Sequence, residues 1–190
     1  VADRFRDRIH LNHKMQEVDL EAKQVRFTNG KVEEYDLLIT TLPLDLFVKS
    51  CVFVPKAVVS ATEGLIHTGG LIVGLGFDGY RDDTKCWMYF PESNSPFYRV
   101  TNFHNYSRYN VPNGAVDRHF SLMCETTYSP HKPQDKASII EETIQGLINS
   151  GMINEYDRDQ IISRYLIDIP YSYPVPTLSR DKALQTIQPY

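Results

Sequence analysis

Hydrophobic and polar positions alternate along much of the first 45 residues, and this pattern predicts short β-strands. The clearest turn signal is Asn29-Gly30, which lies between two strand-like runs. Both residues tolerate the positive φ of a type I′ turn, so we expect a tight β-hairpin here. The apolar run 37–39 then predicts a buried strand that opens into the loop TTLP.

The rest of the chain alternates strand-like and helix-like patterns. Short helices are expected at 43–50 and 56–65, and strands at 69–77, 86–91, 97–103 and 119–128. The clearest helix is 135–151, because Ile140, Ile144, Leu147 and Ile148 share one face and Gly151 is a good stop. Extended structure returns at 160–176, where we expect Pro170, Pro174 and Pro176 to break it. The sum is an α+β fold with a mainly antiparallel sheet.

Charge and composition narrow the possible partners. The net charge of -4 argues against a general nucleic-acid or anionic-membrane binder. No apolar run approaches the roughly 20 residues that a transmembrane helix needs. The three cysteines, Cys51, Cys86 and Cys124, have long and irregular spacing, which argues against a disulfide framework and favours a reducing, cytoplasmic compartment.

Two patterns look like ligand sites and are better explained structurally. The segment TGGLIVGLGFDG carries Gly69, Gly70, Gly74 and Gly76 and superficially resembles a phosphate loop. Its glycines lie among strand-forming residues and no helix follows, whereas a nucleotide fingerprint must open a helix. His10 and His13 would point to opposite faces of an extended segment, and no cysteine or carboxylate cluster completes a ligand set. We therefore expect no metal site.

The segment CWMYFPESNSPFYRVTNFHNYSRY, residues 86–109, has the most specific composition. Strand alternation places Trp87 and Tyr89 on one side and Met88 and Phe90 on the other. Arg99 lies within a second apolar strand, where a permanent charge calls for an anionic partner. Two interpretations stay open on the residues alone: a site for a ligand with a ring and an anion, or an aromatic core with a surface arginine.

The same segment, extended to KCWMYFPESNSPFYRVTNFHNYSRYNVP, strongly resembles eukaryotic-type UDP-galactopyranose mutases, FAD-dependent members of the amine-oxidase-like flavoprotein superfamily. The resemblance continues in VRFTNGKVEEYDLLITTLP, ETIQGLINSGMI and YSYPVPTLSRDKAL, and so covers nearly the whole chain. The piece ending in TTLP is less specific, because similar sequences recur in amine-oxidase-like and protoporphyrinogen-oxidase-like flavoproteins.

The resemblance implies an isomerase that interconverts UDP-galactopyranose and UDP-galactofuranose through a reduced-flavin–sugar adduct, without net redox change. It places Trp87 and Tyr89 beside the uridine, and Arg99, Tyr106 and Tyr173 around the diphosphate of a UDP-sugar. It places the backbone of Met15 and the turn of Thr41, Leu42 and Pro43 near FAD. It places no catalytic side chain within the chain, and His104 stands where the family pattern has a small residue, which leaves the exact sugar open.

The resemblance also implies a domain organisation. Residues 1–45 correspond to a strand-rich part of a Rossmann-like FAD-binding domain, and residues 46–190 to a substrate-binding domain truncated at its C-terminus. The chain begins within a charged segment and stops within a helix-like one, so we expect a central piece of a longer protein. The family's glycine-rich FAD loop and C-terminal flavin-contacting segment lie outside it. By itself, the chain is therefore expected to hold no FAD and to be inactive.

Two other functions stay open at this point. One is an amine-oxidase-like or protoporphyrinogen-oxidase-like FAD-dependent oxidoreductase, although Arg99 among tyrosines suits a phosphate better than a carbon or nitrogen acceptor. The other is a catalytically silent relative that binds nucleotide sugars.

Overall fold

The computed structural model describes residues 2–190. The chain divides into two compact units, Val1–Ile66 with Val175–Tyr190, and His67–Pro174. The expected boundary between residues 45 and 46 stays a prediction about the domains of a longer protein.

The regular elements follow one another in the expected α+β order. The strands are β1 (Met15–Asp19), β2 (Gln24–Phe27), β3 (Val32–Glu34), β4 (His67–Asp78), β5 (Trp87–Tyr89), β6 (Arg99–Asn102), β7 (His119–Tyr128) and β8 (Ile161–Pro174). The α-helices are α1 (Leu44–Ser50), α2 (Lys56–Ala61), α3 (Ile139–Asn149), α4 (Glu155–Asp159) and α5 (Arg180–Ile187). Short 3-10 helices occupy Ala2–Arg8, Thr62–Gly64, Phe103–Asn105, Arg108–Asn110 and Pro112–Gly114. Among the described residues, no helix is long and apolar enough to cross a bilayer.

The first unit carries an antiparallel sheet in the order β1-β2-β3, and the predicted hairpin connects β2 to β3. Its turn is not type I′, however. Gly30 has φ 85°, whereas Asn29 has no positive φ. The Asn29 side chain instead accepts a hydrogen bond from the Lys31 backbone N–H at 3.0 Å, which stabilises the turn without a left-handed asparagine.

The apolar run 37–39 is not the buried strand that we expected. The segment has no strand assignment, and Leu37 and Ile39 are 78% and 83% exposed. A strand needs a neighbour to pair its backbone groups, and no strand of the described chain pairs with this segment.

The second unit is built on an antiparallel sheet in the order β5-β6-β7-β4-β8. One face packs against α3, and its core is formed mainly by Leu71, Val73, Leu75, Val100, Leu122 and Cys124 of the sheet with Ile139, Ile144 and Leu147 of the helix. Ile140 and Ile148 pack against the edge of this core, so the predicted helix face is confirmed. Gly151 has φ 70°, which only glycine adopts readily after a helix.

The opposite face of this sheet is called the open face here. It carries the alternate positions of each strand, which the strand register aligns in two rows. The first row is Tyr89, Arg99, Glu125, Ile72 and Ile167, and the second is Trp87, Thr101, Met123, Gly74 and Tyr165. Trp87, Tyr89, Tyr165 and Ile167 are exposed on it.

Pro170 does not break the last strand, contrary to our expectation. β8 runs without interruption through Pro170 to Pro174. It lies at the edge of the sheet, where a residue without an N–H can face away from the neighbouring strand. The pairing with β4 shifts register between Thr68 and Gly70, opposite this part of β8.

The glycine-rich segment is strand, as predicted. Gly69, Gly70, Gly74 and Gly76 all lie in β4 and pair with residues of β7. Gly74, Gly76 and Gly79 do match the spacing GxGxxG. The N–H of Gly79 donates to the Arg118 carbonyl at 2.6 Å, and residues 80–86 form no helix. This segment therefore lacks the helix N-terminus that a phosphate loop requires.

The prediction that His10 and His13 point to opposite faces is wrong. Their ring centroids are 5.6 Å apart, because the segment is not a strand and Asn12 has φ 60°. They line a hollow of about 380 Å³ with Phe27, Lys31 and Glu33. Across residues 2–190, no group of three or more histidine, cysteine or carboxylate side chains could hold a metal ion.

Gly146→Ala is expected to destabilise the second unit, although alanine is the better helix former. A Cβ at this position of α3 would lie 2.8 Å from Ser95 Cβ and 2.9 Å from Pro96 Cδ. Overpacking of this kind costs about 1–3 kcal/mol, which exceeds a helix-propensity gain of about 1 kcal/mol. Chemical denaturation should show the loss, and Gln145→Ala on the exposed side should change stability by less than about 0.5 kcal/mol. Equal stability of the two variants would contradict the contact.

Candidate functional site

The open face presents two large rings from the short edge strand β5. Trp87 and Tyr89 are 53% and 62% exposed, whereas Met88 and Phe90 pack against the core on the other side. The predicted alternation is confirmed. Five of the eight Trp, Tyr and Phe rings of segment 86–109 are exposed, so an aromatic core does not describe the whole segment.

Arg99 has an internal anionic partner that the sequence reasoning missed. Its Nε donates to Glu125 Oε1 at 2.7 Å and its Nη2 to Oε2 at 2.6 Å. The two residues are 26 positions apart in sequence and face each other across the β6–β7 ladder. One signal could have found the pair, since both are charged residues inside apolar strands and opposite charges stabilise each other across strands.

The pairing keeps Arg99 charged and leaves part of it free. Hydrogen bonds to Glu125 raise the pKa of the Arg99 guanidinium, although burial opposes the rise. Within residues 2–190, the hydrogen-bonding contact of Nη1 is a long one, 3.5 Å to the Tyr89 hydroxyl. The guanidinium carbon lies 5.9 Å from the Tyr89 ring centroid and 5.8 Å from that of Tyr98. An external anion is thus not needed to neutralise Arg99, contrary to our expectation, but Nη1 remains available for one.

Tyr98 completes the polar cluster beneath Arg99. Its hydroxyl donates to Glu125 Oε2 at 2.9 Å. Burial, and then this hydrogen bond to a carboxylate, raise the pKa of Tyr98 above its usual value. Tyr173, near the end of β8, interacts electrostatically with Tyr98 and is exposed. Tyr173 therefore lies near the Arg99 cluster, and its assignment to the diphosphate remains a prediction.

Tyr106 joins Trp87 on the exposed side. Their rings are nearly parallel, with an interplanar angle of 11° and centroids 6.3 Å apart. Tyr106 follows the 3-10 helix Phe103–Asn105 directly after β6, which brings it back over β5. His104 points the other way: it is buried and packs edge-on against Phe120 at 6.2 Å. The histidine at position 104, where the family pattern has a small residue, thus fills the interior and does not alter the exposed rings.

The loop that leads into Trp87 is held by buried hydrogen bonds. Asn102 has no exposed surface, and its Nδ2 donates to the Lys85 carbonyl at 2.8 Å and to Asp83 Oδ2 at 3.1 Å. Burial opposes ionisation of Asp83, but hydrogen bonds from the Lys85 backbone, Asn102 and Arg81 lower its pKa below the usual value. This network fixes residues 83–85 and so the start of β5.

A shallow groove of about 660 Å³ lies on the open face, along β4, β7 and β8. Its floor includes Gly74 and Gly76, and Met123, Tyr165, Tyr109 and Val111 are among its walls. A Cβ on Gly74 would meet only Tyr165 Cβ, at 3.7 Å. The absence of side chains on the floor therefore keeps this part of the sheet accessible.

The four residues assigned to the cofactor lie in the other compact unit. Met15 opens β1 and pairs with Phe27. Thr41, Leu42 and Pro43 form an irregular, largely exposed segment before α1, and the Leu42 N–H donates to Thr40 Oγ1 at 3.2 Å. An exposed backbone of this kind is compatible with cofactor contacts, and the four assignments remain predictions.

Comparison with known proteins identifies the family of the chain and solved structures with a similar fold. Residues 1–186 match the model of the flavin containing amine oxidoreductase family. A crystal structure of reduced UDP-galactopyranose mutase is 34% identical with a TM-score of 0.83, over 94% of this chain and 38% of that chain. The chain thus spans well under half of the length of that structure.

More distant structures share only the fold. A protein from Pyrococcus furiosus is 12% identical with a TM-score of 0.60, over 93% of this chain and 46% of that one. A protein from Exiguobacterium sp. 255-15 with a provisional assignment as a protoporphyrinogen oxidase is 13% identical with a TM-score of 0.60, over 87% and 35% of the two chains.

Proposed function

Since the chain belongs to the family of flavin-containing amine oxidoreductases, we propose that it is the central part of a longer flavoenzyme that interconverts UDP-galactopyranose and UDP-galactofuranose. The similarity to a UDP-galactopyranose mutase over 94% of the chain supports this choice within a family of many activities. The alternatives are an oxidoreductase of the same family and a catalytically silent nucleotide-sugar binder.

One observation carries the proposal: two exposed rings of β5 share the open face with a guanidinium that has a free edge. Trp87 and Tyr89 project from the open face, and Arg99 presents Nη1 next to the Tyr89 hydroxyl. A flat base can stack on such rings, and a guanidinium matches the geometry of phosphate oxygens. UDP combines these two groups within one short molecule.

The residues of this chain would bind and orient the nucleotide sugar. Trp87 and Tyr89 would hold the uridine, and Arg99, Tyr106 and Tyr173 would hold the diphosphate. The reduced flavin, when bound, supplies a nucleophile for the anomeric carbon of the sugar. Met15, Thr41, Leu42 and Pro43 would contribute to the flavin site. Retention of UDP by Arg99 would keep the leaving group in place for the return step.

An assay of the full-length protein tests the proposal. With reduced flavin and UDP-galactofuranose, we expect UDP-galactopyranose as the product, and no product with oxidised flavin. Tight binding of UDP without conversion would favour the silent relative. Flavin reduction by an amine or another oxidisable substrate, with no effect of UDP-galactofuranose, would favour an oxidoreductase.

Trp87 is expected to report nucleotide binding by fluorescence. It is the only tryptophan of the 190 residues and is half exposed, so a stacked base should change its emission. The measurement compares the full-length protein with its Trp87→Phe variant at saturating UDP, and the difference isolates this ring. An identical UDP response in both proteins would contradict a ligand-facing Trp87.

The 190-residue chain by itself is expected to bind no FAD. Its GxGxxG spacing lies at the end of β4, where Gly74 and Gly76 are paired within the sheet and no phosphate-binding helix follows. The purified chain should therefore lack the visible absorbance of bound flavin. Stoichiometric flavin after gel filtration would contradict this expectation.

A further inference from the structure

Glu125 occupies an unusual position for a carboxylate. It lies in the central part of β7 between the buried residues Cys124 and Thr126, and it is 6% exposed itself. A buried charge is costly unless it is paired and hydrogen-bonded. Glu125 accepts three hydrogen bonds, two from Arg99 and one from the Tyr98 hydroxyl. The carboxylate is therefore held from two sides.

These contacts determine which edge of the Arg99 guanidinium is free. Arginine has five N–H donors in a rigid plane. Glu125 takes one from Nε and one from Nη2, which leaves one donor of Nη2 and the two of Nη1 pointing away from Glu125, with Nη1 3.5 Å from the Tyr89 hydroxyl. The free edge that carries Nη1 thus faces the side of the cluster where Tyr89 lies. Free rotation of the guanidinium is no longer possible while both bonds are present.

We propose that Glu125, itself held by Tyr98, is a positioning residue that orients the free edge of Arg99 toward the diphosphate of the bound nucleotide; this inference rests on the proposed function. A preoriented guanidinium loses less freedom when it binds, so each hydrogen bond to phosphate contributes more to affinity. Glu125 does not touch the nucleotide and acts through Arg99.

The negative charge of Glu125, taken by itself, would weaken UDP binding and not strengthen it. A carboxylate close to the diphosphate repels it, so removal of that charge without loss of orientation should tighten UDP binding. Glu125→Asp keeps the charge but shortens the side chain by one methylene, and its carboxylate cannot reach both Nε and Nη2. Glu125→Gln keeps the length but loses the charge and one acceptor. The two variants together separate orientation from charge.

The experiment measures the affinity of the full-length protein for UDP and for uridine by isothermal titration calorimetry. Both Glu125→Asp and Glu125→Gln should weaken UDP binding about 10-fold, the size of one charge-assisted hydrogen bond. Tyr98→Phe removes only the hydroxyl contact to Glu125 and should weaken it about 2- to 5-fold. Uridine has no phosphate, so its affinity should stay within about twofold in all three variants.

A second carboxylate with a tyrosine hydroxyl and a cationic side chain as partners provides the control; its side chain is 36% exposed, against 8% for Glu125. Asp168 of β8 accepts from the Tyr128 hydroxyl at 2.7 Å and from Lys136. It pairs with the core residue Leu71, on the face opposite Arg99. Asp168→Asn and Tyr128→Phe should leave the affinities for UDP and uridine unchanged. Melting temperatures of all variants, recorded in parallel, establish the folded fraction used in each titration.

Several outcomes would overturn the inference. UDP binding as tight as wild type in Glu125→Asp, or tighter in Glu125→Gln, would show that charge and not orientation is the effect of Glu125. Equal loss of UDP and uridine affinity would show a merely structural role. If the wild-type protein binds uridine and UDP equally weakly, the proposed function fails, and this inference fails with it.

Discussion

Arg99→Ala in the full-length protein is expected to weaken UDP binding roughly 10- to 100-fold, because hydrogen bonds to charged groups contribute about 1.5–3 kcal/mol. The free edge of the guanidinium presents the donors that would contact the diphosphate. Arg99→Lys should recover only part of the loss. Lysine keeps the charge, but its single ammonium cannot span both oxygens of Glu125 and a phosphate together. Calorimetric titration with UDP measures the effect.

The same substitution also affects the fold. Without Arg99, the buried Glu125 carboxylate loses two of the three hydrogen bonds that it accepts from the described residues and keeps the one from Tyr98. Loss of one partner of a fully buried pair costs about 3–5 kcal/mol, and about 1–3 kcal/mol is expected here because the Arg99 side chain is 25% exposed. The double variant Arg99→Ala with Glu125→Gln should regain stability without regaining UDP affinity.

That double variant separates binding from folding. If Arg99→Ala binds UDP as tightly as wild type, Arg99 stabilises the sheet and does not bind the nucleotide. The mutase proposal then loses the residue that supports it most. If the double variant regains both stability and affinity, the loss in Arg99→Ala was a folding effect.

Asn102→Asp is expected to destabilise the second unit by about 3–5 kcal/mol at neutral pH, since it buries an unpaired carboxylate. The replaced amide donates to the Lys85 carbonyl and to Asp83. A carboxylate of the same shape would face a carbonyl oxygen and a second carboxylate instead. Because residues 83–85 lead into Trp87, UDP binding should weaken in the variant as well.

The pH dependence and a neighbouring residue provide the tests of this prediction. Burial raises the folded-state pKa of the introduced aspartate, so its ionisation penalty grows as pH rises and vanishes below about 4, the unfolded pKa. Asn105 also donates to the Asp83 and Lys85 carbonyls but is exposed. Asn105→Asp should therefore cost less than about 1 kcal/mol. Denaturation curves at several pH values would contradict the prediction if both variants lost the same stability.

Some features that depend on near neighbours in sequence were readable from the sequence, although the turn type at Asn29-Gly30 and the directions of His10 and His13 were not. The alternation of β5 placed Trp87 and Tyr89 on one side because successive side chains of any strand point to opposite faces. The stop after α3 was readable because glycine adopts the left-handed φ that follows a helix more readily than other residues. The family was readable because the segment 86–109 resembles the corresponding segment of UDP-galactopyranose mutases; its composition alone left two interpretations open.

Features that depend on which segments meet were decided by the tertiary structure. The partner of Arg99 is Glu125 because β6 pairs with β7 in one particular register, and a shift of one residue would reverse the faces of one strand. Pro170 stays within β8 because that strand lies at an edge, and the run 37–39 is exposed because no described strand pairs with it. Where a strand or helix formed as predicted, the sequence by itself determined on which side of that element each side chain lies. Only the packing of distant segments decided which of those side chains have partners, because burial and pairing energies arise between segments and not within them.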